Sequence, residues 1–197
     1  MQKDNPWLTI WVAPRKTLRN LLDQNKGEWT AFWLALIGGM ILGVVWWSGL
    51  LTTKDRLFFK NFAAFIVLLA LGGTLGLAYL YIMGWLYCIT GSWLKGKGSF
   101  KEVRYAVGWV FYPMAVANIF GIIVYLTFQH FWWNFAFSLL YLIAFTWAAI
   151  IAIKLIAEAH RFSAWQAILA IIIAGVLLFA AILIMAMLIS LLRPLFQ

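Results

Sequence analysis

Residues 154–161 bring together Lys154, Glu158, His160 and Arg161, the constellation in this chain with the most acid–base chemistry to offer. Lys154 and Glu158 stand one helical turn apart and can pair, while an unperturbed imidazole at His160 titrates near neutral pH. A metal site would need at least three converging donors. With His130 expected on the opposite face of the membrane, only His160 with Glu158, Asp23, Glu28 or Glu102 would supply them. The simpler expectation is a solvated helix end, with Glu158 and His160 available to a lipid or a partner. A second polar group comprises Tyr112, Pro113 and Asn118, where proline removes a backbone hydrogen bond and the amide requires a partner on a neighbouring helix.

Enzymatic patterns are missing from the sequence. Gly96-Lys97-Gly98-Ser99 lacks the order and spacing of a phosphate loop and follows no strand. No HExxH, nucleophile elbow, paired intramembrane aspartate or intramembrane Ser–His pair occurs. Cys88 is the only cysteine, so no intrachain disulfide or multi-thiolate cluster can form, and it reads as apolar filler. The expectation is a non-enzymatic protein without cofactor or metal.

The elements that position these residues are five hydrophobic runs, 29–51, 61–90, 105–128, 132–153 and 165–192, with no Asp, Glu, Lys, Arg or His inside any of them. At 1.5 Å per residue each crosses a hydrocarbon layer of about 30 Å as a helix. Overall, 65% of residues are hydrophobic and 11% are charged, and the mean hydropathy is +0.93, whereas a soluble domain carries about 25% charge. The fold class is therefore all-α: a polytopic membrane protein of five spans, with residues 1–28 as a cytoplasmic amphipathic segment and 29–197 as the transmembrane domain. Ionisable groups inside spans usually mark ion paths or coupled substrate sites, so their absence describes a scaffold. Residues 1–28 lack the apolar core of a cleavable signal, and the first span is expected to stay.

Orientation follows from the basic residues. The segments 1–28, 91–104 and 154–164 hold Lys3, Arg15, Lys16, Arg19, Lys26, Lys95, Lys97, Lys101, Arg104, Lys154 and Arg161, whereas the opposite side holds Lys54, Arg56, Lys60 and Arg193. That bias places the N-terminus in the cytoplasm and, with five spans, the C-terminus across the membrane. The net charge of +9 then reflects topology and anionic lipid, and nucleic acid is not an expected partner. Trp29, Trp46, Trp47, Trp85, Trp93, Trp132, Trp133 and Trp165 fall where runs end and read as interfacial anchors.

Pro14 starts a predicted helix whose Leu18, Leu21 and Leu22 form a stripe opposite Arg15, Lys16 and Arg19. Ser99 and Glu102 form a capping box before the third span. Gly39/Gly43 and Gly72/Gly76 have GxxxG spacing, which predicts close packing of the first two spans, with homodimerisation as the alternative use. The second run exceeds the bilayer thickness and must tilt, bend near Gly72–Gly73 or extend into the interface.

Several of these segments resemble the Yip-domain family, membrane proteins named for interaction with Ypt/Rab GTPases, and in particular its compact bacterial members. Residues Asn5-Pro6-Trp7-Leu8-Thr9-Ile10-Trp11 through Pro14-Arg15-Lys16-Thr17 are similar to the pre-membrane stretch. Gly108-Trp109-Val110-Phe111-Tyr112-Pro113 has the spacing of the family's GYxxxP signature with Trp for Tyr, and His160-Arg161-Phe162-Ser163 before Trp165-Gln166-Ala167 resembles the polar turn preceding the last helix. The DLYGP signature of eukaryotic members is absent, Trp11-Val12-Ala13-Pro14 standing in a comparable place. The resemblance implies a five-helix domain of membrane trafficking or organisation in a bacterial cytoplasmic membrane. The expected binding surface for anionic lipid or an unidentified membrane or cytoplasmic protein comprises Trp7, Trp11, Arg15, Lys16, Arg19, Lys97, Lys101, Arg104, Glu158 and His160. The rival is a transporter or channel for a neutral or lipid-like substrate past Tyr112, Pro113 and Asn118.

Overall fold

A computed structural model describes residues 5–24, 27–50, 62–127 and 131–192. Lys54, Arg56, Lys60, His130 and Arg193, expected on the opposite side, lie outside that part, as do the side chains of Trp46, Trp47, Trp132 and Trp133.

Two short helices come first, α1 (Pro6–Thr9) and α2 (Pro14–Asp23). Asn5 caps α1, its Oδ1 accepting from the Trp7 N–H at 3.1 Å, and a proline opens each helix where no N–H is needed. Thr17 Oγ1 lies 2.8 Å from Thr9 Oγ1 and so ties the pair together. On α2, Leu18 is buried while Leu21 and Leu22 pack against the core. The apolar stripe thus rests on the protein's own helices α5 and α6.

Five long helices follow: α3 (Glu28–Leu50), α4 (Phe62–Trp93), α5 (Phe100–Thr127), α6 (Phe131–His160) and α7 (Ala164–Leu192). Each contains a stretch long and apolar enough to cross a membrane. The protein is an integral membrane protein. α4 passes through Gly72–Gly73 as one helix of 32 residues, roughly 48 Å of rise, longer than the hydrocarbon layer and without a break.

Glycine sets the closest contact. A Cβ at Gly39 would strike the Gly72 carbonyl oxygen, one at Gly76 would strike that of Ala35, and one at Gly72 would stand 2.6 Å from that of Gly39. Both GxxxG pairs therefore serve the packing of α3 on α4 within one chain. Gly108 does the same between α5 and α3, where an added Cβ would collide with Ala31. α5 is the axis of the bundle: 44% of its span is buried against 22% or less for the other four. It continues through Pro113.

Two of these helices end in the same way. The Gly96 N–H reaches the Gly91 carbonyl at 2.8 Å and the Lys95 N–H that of Ser92 at 3.0 Å; Phe162 to Ala157 at 3.0 Å and Arg161 to Glu158 at 3.1 Å repeat the pattern after α6. These are Schellman closures. In both, the left-handed position carries a side chain, with φ 64° at Lys95 and 57° at Arg161.

Candidate functional site

The described parts of the polar segments 5–28, 91–104 and 154–164 meet at one end of the bundle. Arg19 on α2 binds Glu158 on α6 at 2.6 Å. Arg104 of α5 pairs with Glu28 at the start of α3 and lies over the Tyr81 and Phe100 rings at 5.3 and 5.4 Å. Arg161 reaches Glu102 at 3.4 Å. Glu102 also completes the expected capping box, accepting the Ser99 N–H at 2.7 Å while its own N–H meets Ser99 Oγ at 3.3 Å. A second box starts α7, where Gln166 Oε1 accepts the Ser163 N–H at 3.0 Å and Gln166 Nε2 donates to the Leu94 carbonyl at 3.3 Å.

His160 departs from the expected solvated helix end. It is 1% exposed, because residues 91–98 fold over it: the Lys97 N–H donates to the His160 carbonyl at 3.0 Å. Its Nε2 stands 3.0 Å from the Tyr87 carbonyl and must donate there, since a carbonyl only accepts. The ring stacks on Phe162 at 5.0 Å with an interplanar angle of 2°. Only glycine fits beside it. A Cβ at Gly91 would strike the ring, and Cβ atoms at Gly96 and Gly98 would stand 2.6 and 2.9 Å from Nδ1. Glu158 takes Arg19 across two helices as its partner, where the spacing also allowed Lys154. Three of the four carboxylates weighed as co-ligands of a metal are thereby engaged elsewhere, Glu158 by Arg19, Glu28 by Arg104 and Glu102 by Ser99 and Arg161.

The remaining expected binding residues divide into two sets. Trp7 and Trp11 seat the N-terminal segment on α5, with Trp7 centred 5.0 Å from both Trp109 and Tyr112 and Trp11 5.8 Å from Tyr112. Arg15, Lys16, Lys97 and Lys101 are exposed, as is Lys95. Arg19 and Arg104 belong to the frame that holds these cations in place. Trp29, Trp93 and Trp165, each within two residues of a helix end here, are 73%, 60% and 76% exposed, the pattern of an interfacial belt.

Tyr112 and Asn118 are brought to different places, Tyr112 under the tryptophans and Asn118 into the bundle. There Asn118 Nδ2 donates to the Met114 carbonyl at 2.9 Å and Oδ1 accepts from the Tyr141 hydroxyl on α6 at 2.8 Å. This interhelical bond is the partner the sequence required. Beside it lies a half-open crevice of about 580 Å³ between α3, α4, α5 and α6.

Sequence reasoning passed over the glycines around His160, the Ser163–Gln166 box and Tyr141. The box was legible as S-x-x-Q before an apolar run. The glycine cradle and Tyr141 carry no local signal, because their roles depend on residues distant in sequence.

Comparison with curated proteins and with solved structures returns no match for this chain. The family model of the Yip1 domain matches residues 8–187, a range that takes in α2, the Gly108–Pro113 signature and all of the polar face from Leu8 onward. The chain belongs to the Yip1-domain family.

Proposed function

We propose that this protein is a non-enzymatic scaffold of membrane organisation, whose basic end in the bacterial cytoplasmic membrane docks an acidic protein surface or anionic headgroups from the cytoplasmic side. One observation carries the reading: Arg15, Lys16, Lys95, Lys97 and Lys101 are exposed on a frame fixed by three ion pairs, two between helices and one from the α6–α7 turn to α5. A surface already ordered loses little freedom on binding, which favours recognition by a fixed pattern of charge. Each cation near an anionic surface contributes about 1 kcal/mol at physiological ionic strength. Crosslinking in native membranes from a photoreactive residue at position 97 tests it. A stoichiometric partner or anionic lipid should be captured, with capture falling as salt rises and when Arg15, Lys95 and Lys101 are changed to Gln. Capture indifferent to both would remove the electrostatic mechanism.

One observation favours the alternative of a path for a neutral or lipid-like substrate, namely the crevice beside Asn118. Its uncharged walls suit such a molecule. Flux of a fluorescent neutral lipid across proteoliposomes, abolished by Asn118→Leu, would move the reading from scaffold to transport.

A further inference from the structure

The crevice at Asn118 is walled by uncharged residues, with Gly43 and Gly72 forming part of its floor. Four of the lining side chains, Leu71, Leu75, Tyr79 and Phe145, are 55%, 68%, 44% and 46% exposed. They put the mouth on the flank of the bundle, inside the membrane-crossing stretches Phe65–Trp93 and Ser138–His160. Whatever enters arrives from hydrocarbon.

Size and chemistry select among occupants. Water is disfavoured because a cavity of this lining offers few hydrogen bonds, and an empty one forfeits the dispersion contacts of its walls. A helix of a second copy would enter only in small part: one turn, 10–12 Å across and 5.4 Å tall, takes roughly 400–600 Å³, so the crevice of about 580 Å³ receives about a single turn. An extended hydrocarbon chain fits.

The wall also carries unspent polarity. Tyr141 gives its hydrogen to Asn118 Oδ1, which leaves its own oxygen lone pairs, and Asn118 uses one N–H on the Met114 carbonyl, which leaves the other. An N–H and a hydroxyl oxygen side by side suit a group that both accepts and donates. A charged headgroup is excluded at this depth by its desolvation cost.

We infer that the crevice is a binding site for a neutral single-tailed lipid bearing a hydroxyl group, its tail in the groove and its oxygen at Asn118 and Tyr141. The groove supplies contact area, and the polar pair discriminates an alcohol from a plain alkane.

Photolabelling of the full chain in nanodiscs tests this, with hexadecanol carrying a diazirine in its tail as the probe. Labelled residues should concentrate on 110–118 and 141–145, and unlabelled hexadecanol should compete better than hexadecane by about threefold, the value of one hydrogen bond within a membrane. Leu75→Trp, which fills the mouth from an exposed position, should remove most of that labelling, and Leu71→Trp does so independently if the first variant unfolds. Asn118→Leu should keep the labelling and erase the preference for the alcohol. Labelling spread evenly over lipid-facing α7 and unchanged by either tryptophan would overturn the site, as would equal competition by hexadecane. A tryptophan variant that altered the oligomeric mass while labelling persisted would assign the groove to a second copy and overturn it too.

Discussion

The imidazole of His160 meets Gly91, Gly96 and Gly98, because no Cβ could stand where the ring and its neighbours do. Space decides the sign of a glycine substitution. At Gly98 an added Cβ would come 2.6 Å from the Ala159 carbonyl oxygen, which belongs to backbone and cannot swing aside, whereas nothing lies within 4 Å of one at Gly175. Gly98→Ala should therefore destabilise by about 1–3 kcal/mol through overpacking. Gly175→Ala should be neutral or gain up to about 1 kcal/mol of helix propensity in α7. Thermal unfolding of both variants in the same detergent checks the contrast, and equal shifts would contradict the cradle. The two loop glycines, 96 and 98, read in the sequence only as helix breakers, so their part in enclosing a histidine far along the chain was not visible before folding.

At the level of elements, helix starts were legible and helix ends were not. Pro14, Ser99 and Glu102 act locally, and α2 and the cap of α5 stand where those residues put them. The ends of α4 and α6 were obscured because their left-handed closing residues are Lys95 and Arg161, where glycine is the usual signal. A left-handed backbone costs an L-residue about 1–2 kcal/mol, against the roughly 0.5–1 kcal/mol of extra chain entropy that glycine loses on folding. Lys95→Gly should accordingly stabilise the protein by about 0.5–1 kcal/mol, read as a raised unfolding midpoint. A lowered midpoint would mean that the Lys95 side chain contributes more than its conformation costs. The glycine pairs of α3 and α4 were visible as spacing, but their use within one chain became visible only when Gly39 and Gly72 were found in contact.

Over the whole molecule, the helices gather three basic segments at one end, while α7 leaves that end with its apolar surface outward. The polar face and the far end of α7 thus lie at opposite ends of the bundle, and the positive-inside bias expects the polar face to be the cytoplasmic one. In a Cys88→Ala background, Lys97→Cys should resist a membrane-impermeant maleimide in intact cells and react once they are permeabilised. Reaction in intact cells would invert the topology and move the proposed docking face to the other side. Cys88 is itself half-buried, so its replacement by a small apolar residue leaves the fold available for the test.

Composition and the length of the hydrophobic runs by themselves determined the class and the number of spans, because a helix in hydrocarbon must satisfy its own backbone and present apolar side chains, a demand written residue by residue. Tertiary structure alone decided that Arg19 holds Glu158, that His160 is buried, that Tyr112 belongs to the tryptophans and Asn118 to Tyr141, and that a crevice remains between the helices. Nearly every surface of these helices is apolar, so hydrophobicity does not say which face meets which neighbour; the close approach of glycines and a handful of polar bonds do, and both are properties of pairs distant in the chain.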